Sequence, residues 1–298
     1  MAESSTQFRL LRKAKDPKFN IDDLEHYDLM LQAGFSDIQL CIADSRKNRV
    51  LLLEDYVMPG ITNQIERVEC LDCLFDDHHL LLAGFWNRIK VMVKNKRFSI
   101  VPKDLFVEES IEEYIKANAP LEDGEHECFS NYYKRLSLVS AFAVSNPVLD
   151  FINKTYKAKN VEYYHQSSSF INGFRRYFKN SNDTNVCLYL DRFILHILVF
   201  REGGFRFYNQ FPVKVFEDYI RYANYVIDDL SVDKKKDRFH VWGYLGQNSS
   251  HFKILKNNYP TLKLGGRPDG LKLGYVFDEI PDHQYFDLLS FNFLSSKS

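Results

Sequence analysis

The chain has 298 residues, 45% of them hydrophobic and 15% aromatic, with 39 basic and 40 acidic side chains and a formal net charge of -1. That length allows about two domains, each able to bury its own core. The balanced charge excludes a dominant nucleic-acid or anionic-membrane surface, so no nucleic-acid partner is expected.

Residues 1–26 lack the apolar core of a signal peptide and read as a flexible lead-in. No stretch approaches the roughly 18 apolar residues of a spanning helix, so no membrane span is expected. The five cysteines (Cys41, Cys70, Cys73, Cys128 and Cys187) are an odd number without a secretory signature, which points to reduced thiols and a cytoplasmic address. From Leu29 to Pro59 the apolar and β-branched runs break at AGFS and at DSRKN, which predicts a three-stranded meander. ITNQIERVECLDCLFDD then spaces Ile61, Ile65, Val68 and Phe75 as one buried stripe of a helix. RIKVMVKNKRFSIVP reads as two strands, with Asp104 placed to cap a helix through Ile111 and Ile115.

An acidic connector, APLEDGEHE, precedes the buried strand LSLVSAFAVS, and Asn146 and Pro147 open a helix. VEYYHQ and a helix from Ser168 to Phe178 follow. The polar NSNDTN at 180–185 is the best boundary in the chain, giving a first subdomain over 27–180 and a second over 181–298. Val186–Pro212 repeats the meander, with turns at Asp191 and Arg192 and at Glu202, Gly203 and Gly204. Phe216, Ile220, Ala223 and Ile227 mark an amphipathic helix; FHVWGYLG reads as a strand and turn, and Ser249 or Ser250 caps a helix to Asn258. LKLGGRPDGLKLG reads as strand, turn and strand, and Pro281 and Asp282 start a last helix.

A meander followed by alternating helices and strands, present twice, resembles the actin-like ATPase (ribonuclease H-like) fold: an α/β architecture of two subdomains. The phrases SIVPKDLF, LHILVFREGGFRFYNQFP and IPDHQYFDLL resemble those of a bacterial, Bacteroidetes-type domain-of-unknown-function family with this fold, across most of Tyr27–Leu289. That family is related in fold to pilus-assembly and cell-division proteins. The resemblance implies a nucleotide cleft in which an acid, a spacer and a glycine of the first turn present N–H groups and a magnesium-organising carboxylate to phosphates. Here that turn holds Gln32, Ala33 and Gly34, with Asp37 three residues later; the second phosphate turn holds Asp191 and Arg192 where glycines would admit a phosphate. Gly243 and Gly246 match the adenosine-side turn loosely. Gly34, Asp37, Asp191, Gly243 and Gly246 are therefore the candidate site: a degenerate nucleotide cleft with no resident cofactor expected, ATP with magnesium being the alternative.

Other chemistry is weighed against plainer readings. Cys70 and Cys73 with His78 and His79 have the inventory of a zinc site, but about 100° per residue prevents one helix from converging all four, so no metal is expected. His283 and Asp287, four residues apart, are an acid and base pair or a hydrogen bond on one helix face. His196 reads as a core histidine, and DKKKDR at 233–238 as a solvated turn flanked by acids. The expected function is a non-catalytic cytoplasmic scaffold that binds a protein partner. The alternative is a phosphotransferase or nucleotide-switched protein using Asp37 and Asp191 as its carboxylates.

Overall fold

Both predicted meanders are present in the computed structural model, which describes residues 8–157 and 159–294. The chain divides into two units. One takes the chain up to Ser168 together with Gly270–Glu279 and Leu294; the other takes Ser169–Asp269 and Ile280–Phe293.

In the first unit, Arg9–Lys15 form an edge strand, β1, within the stretch that the sequence presents as a lead-in. Only Ala14 of its seven residues is buried, so backbone pairing holds the strand and leaves no apolar period to read. Strands β2 (Asp28–Ala33), β3 (Asp37–Asp44) and β4 (Arg49–Val57) pair antiparallel in succession. Every residue of β2 and β3 is buried, as expected of central strands covered on both faces. At the β3–β4 turn the Asp44 carboxylate accepts from the N–H groups of Arg46 (3.1 Å) and Lys47 (3.2 Å), and Asn48 takes a φ of 50°. Helix α1 (Gln64–Asp77), capped by the Asn63 side chain, leads to β5 (Arg88–Val93). The sheet is ordered β1-β4-β3-β2-β5-β9, where β9 is Val161–His165, and both β5 and β9 run parallel to β2.

A second sheet of this unit is ordered β6-β8-β7, from β6 (Phe98–Pro102), β7 (His126–Tyr133) and β8 (Leu138–Ser145). Strand β7 begins inside the stretch read as an acidic connector; most of its side chains are half-exposed, so its apolar signal is weak. The helix expected after Asp104 is broken into 3-10 turns at Lys103–Leu105 and Glu108–Ser110 before α2 (Ile111–Lys116), and no side chain caps it. Ile115 of α2 packs with Ala141 and Ala143 of β8. Helix α3 (Asn146–Thr155) opens with Pro147 in its first turn.

The division between the units falls inside α4 (Gln166–Tyr177), ahead of the polar 180–185 segment. The reason is aromatic. Phe170 lies 4.7 Å from Tyr189, and Phe174 lies 4.6 Å from Trp242 and 4.2 Å from Phe286, so α4 packs on the sheet that follows it. That sheet is built from β10 (Thr184–Asp191), β11 (Ile194–Arg201), β12 (Gly204–Pro212), β13 (Arg238–Gly243) and β14 (Lys263–Leu264), ordered β12-β11-β10-β13-β14. Its meander closes over Glu202 and Gly203, both at positive φ, as a two-residue hairpin requires. Val186, Leu188 and Leu190 of β10 face α5 (Phe216–Asp229) and α6 (Ser250–Asn258) in one apolar core, and the alternate residue Tyr189 faces the α4 aromatics. The segment read as a strand, turn and strand supplies the two residues of β14 and, at Lys272, a single parallel bridge to Arg49, and the last helix, α7, is confined to Phe286–Ser290. In both units the meander's first strand pairs antiparallel with the second and parallel with the strand after the first helix.

Candidate functional site

The first turn joins β2 to β3. The Gly34 N–H donates to the Asp37 carbonyl at 2.9 Å, and a Cβ at Gly34 would collide with the Asp37 carboxylate. The side chain of Asp37 thus lies over the glycine whose bare backbone a phosphate would need. Asp37 is itself 5% exposed, and its Oδ2 lies 2.7 Å from Lys94 Nζ, so this carboxylate is already engaged by a cation. Gln32, at the position of the expected acid, is fully buried in β2.

The corresponding turn of the second unit is filled by side chains. Arg192 takes a φ of 50°, a conformation that favours glycine, and its guanidinium lies 3.8 Å from Asp191 and 5.0 Å over the Tyr244 ring. Gly243 has a φ of 94°, and a Cβ there would strike the Leu190 backbone. Its N–H donates to the His283 carbonyl at 2.8 Å, while the Tyr244 N–H donates to the Leu190 carbonyl at 2.9 Å. Close approach of two backbones explains this glycine without any ligand. Gly246 meets no crowding, and its carbonyl accepts from the Ser249 hydroxyl at 2.6 Å, just ahead of the Ser249 cap of α6. Of the five candidate residues, Gly34 and Asp37 sit in the first unit and Asp191, Gly243 and Gly246 in the second.

Beside the first turn lies a cavity of about 60 Å³. Its walls carry Arg67 of α1, Lys94 and Arg97 after β5, and His126 at the start of β7. Arg67 is 7% exposed; Nη1 donates to Gln64 Oε1 at 3.2 Å and Nε has no partner. Burial lowers its pKa to about 10 despite the opposing charge of Asp37, which leaves it protonated at neutral pH. The His126 pKa is lowered by burial and by the Arg97 charge. The apolar spacing of Ile61, Ile65, Val68 and Phe75 gives no cue to these residues. Ile65 is 70% exposed, and the buried face carries Arg67, Cys70, Leu71 and Leu74 together with Phe75, the one residue of the expected stripe that is fully buried.

The family described as "Protein of unknown function (DUF3822)" matches residues 16–261. The chain belongs to the DUF3822 family. No curated protein sequence matches it. A Bacteroides thetaiotaomicron protein with an actin-like ATPase fold and unknown function superposes on the DUF3822 chain with a TM-score of 0.79 at 18% identity, covering 93% of this chain and 99% of the other. A chain of the PilM-PilN type IV pilus biogenesis complex superposes with a TM-score of 0.61 at 10% identity, covering 89% and 97%. The DUF3822 protein therefore has the actin-like ATPase fold.

The remaining candidates of this DUF3822 chain resolve into structural roles. Cys70 is buried and Cys73 exposed, and no group of three or more histidine, cysteine or acidic side chains could hold a metal ion among the described residues. His78 leaves the cysteines and meets Glu54, with Nε2 at 2.7 Å from Oε2. His283 precedes α7 and bonds the Leu245 carbonyl through Nε2 at 2.7 Å, while Asp287 accepts from the Tyr189 hydroxyl at 2.6 Å; the two do not share one helix face, because the helix starts three residues after His283. His196 is buried, with Nδ1 3.0 Å from the Tyr208 hydroxyl. The DKKKDR run is a turn in which the Asp233 carboxylate accepts from the N–H groups of Lys235 (2.8 Å) and Lys236 (3.2 Å). No helix among the described residues is long and apolar enough to cross a membrane.

Proposed function

We propose that this protein is a non-catalytic, pseudo-ATPase member of the actin-like fold that acts in the cytoplasm as a scaffold for a protein partner. The observation that carries the reading is the first turn: the Asp37 side chain covers Gly34 and is held by Lys94 at 2.7 Å. A phosphate approaching that backbone would have to displace a buried ion pair, which is unfavourable unless the incoming group replaces every bond lost. Arg192 in the turn of the second unit supports the same reading, since a long charged side chain stands where a glycine would open the backbone. Shared ancestry of the two meanders, by duplication of one actin-like unit, fits their common strand order. The PilM chain was solved in a complex with PilN, which makes a protein the class of partner we favour here. Five free cysteines support the cytoplasmic address.

Thermal unfolding with and without millimolar Mg-ATP tests the proposal, because a ligand that binds only the folded state raises the melting temperature by mass action. The expected outcome is an unchanged Tm and no ATP turnover. Turnover that disappears in Asp191→Asn or Gly34→Val would sink the scaffold reading in favour of the phosphotransferase, with Asp37 released from Lys94 to serve magnesium.

A further inference from the structure

At the cavity beside the first turn the one opposing charge felt by Arg67, that of Asp37, is bonded to Lys94 instead. Lys94 is paired with Asp37, but Arg67 has no ion-pair partner among the described residues, and its Nε is without any hydrogen bond although the residue is 93% buried. Arg97 spends its Nε on a carbonyl, that of Pro120 at 3.2 Å, which offers a dipole and no counter-charge. Buried guanidinium groups are ordinarily paired, because desolvation of an unpaired charge is strongly unfavourable. His126 and Ser145 add polar groups to the same wall, and Nδ1 of His126 is buried without a hydrogen-bond partner. The first residue of α1, Gln64, also lines the space.

We propose that this cavity binds one tetrahedral oxyanion of the phosphate or sulfate class, gripped by Arg67 and surrounded by Lys94, Arg97 and His126. A volume of about 60 Å³ accepts the anion in place of a few waters but has no room for a nucleoside. The guanidinium fork donates through Nε and a terminal nitrogen to two oxygens, the arrangement for which arginine is preferred over lysine. The anion comes either free or as the terminal group of a phosphate monoester; the chemistry at Arg67 is the same. This site does not depend on the scaffold reading, since neither Gly34 nor Asp37 has to open for it.

Isothermal titration of inorganic phosphate into the full-length protein, at constant ionic strength in chloride, is the test. Wild type should bind saturably at one per chain, and Arg67→Met should bind at least about tenfold more weakly, the loss expected for one charge-assisted contact. Arg97→Gln, at a half-exposed position with little risk to folding, should weaken binding by about threefold to tenfold. A circular dichroism melt of each variant confirms that it is folded. Phenyl phosphate run in parallel distinguishes the sources: binding equal to that of inorganic phosphate assigns the site to monoesters, and binding of inorganic phosphate alone assigns it to the free anion. No saturable heat up to about 10 mM phosphate, or equal affinity in folded Arg67→Met, overturns the proposal.

Discussion

At the scale of single residues, the glycines separate two reasons for having no side chain. Gly243 sits at φ 94° against the Leu190 backbone, so both conformation and space demand it. Gly243→Ala is expected to lower stability by about 2–4 kcal/mol, combining left-handed strain with a backbone clash. Urea unfolding checks this, and a loss below about 1 kcal/mol would mean that β13 shifts freely to admit a methyl group. Gly34 is crowded by the Asp37 carboxylate and not by backbone, so its requirement belongs to the arrangement of that turn. Arg67 shows the opposite case, a residue whose type alone announces exposure but which the fold buries.

At the scale of elements, β1, β4 and the end of α1 meet at one buried carboxylate. Glu54 is fully buried; Lys13 Nζ lies 2.7 Å from Oε1, His78 Nε2 lies 2.7 Å from Oε2, and the Tyr56 hydroxyl donates to Oε2 at 2.6 Å. Burial acts to raise the Glu54 pKa, but the bonds from His78, Lys13 and Tyr56 outweigh it and bring the value to about 2, from 4.5 for a free glutamate. A depressed carboxylate contributes stability that is complete above its unfolded pKa and is lost as pH falls through the folded one. Glu54→Gln should therefore be less stable than the parent by about 2–3 kcal/mol at pH 7, with the difference shrinking between pH 4.5 and 2. Urea unfolding at pH 7 and pH 3 reads it; a gap that stays constant would show that the network contributes through packing alone. Apolar spacing in α1 points to Ile61, Ile65, Val68 and Phe75, yet the helix turns Cys70, Leu71 and Leu74 inward with Phe75, since a polar-rich helix offers several faces of similar hydrophobicity.

At the scale of the whole molecule, the five thiols report on folding. Cys41, Cys70 and Cys187 are buried, Cys128 is half-buried and Cys73 is exposed. Burial, with Cys73 adding its charge, pushes Cys70 up to about 11; burial also brings Cys128 to about 11 and raises Cys187 well above its ordinary value. An aromatic disulfide reagent at neutral pH is expected to react first with Cys73, more slowly with Cys128, and with the other three only after denaturation. Fast native reaction at Cys187 would indicate that the β10–β13 sheet opens locally far below the global unfolding free energy.

The order of elements was legible in the sequence alone: two meanders, each followed by alternating helices and strands, and with them the actin-like fold. Apolar and β-branched runs bounded by turns such as DSRKN and Glu202–Gly203 are local signals, set by neighbouring residues and readable without contacts. The edge strand β1, the start of β7 and the division inside α4 were decided by the tertiary structure, because pairing partners and aromatic packing lie far along the chain. The same holds for the candidate site. The sequence leaves the first phosphate turn without its acid and the second without its glycines; only the folded chain laid Asp37 over Gly34, drew Lys94 to it, and buried Arg67 beside them without an ion-pair partner among the described residues. Charges separated by tens of residues acquire their environment from packing, which no local pattern encodes.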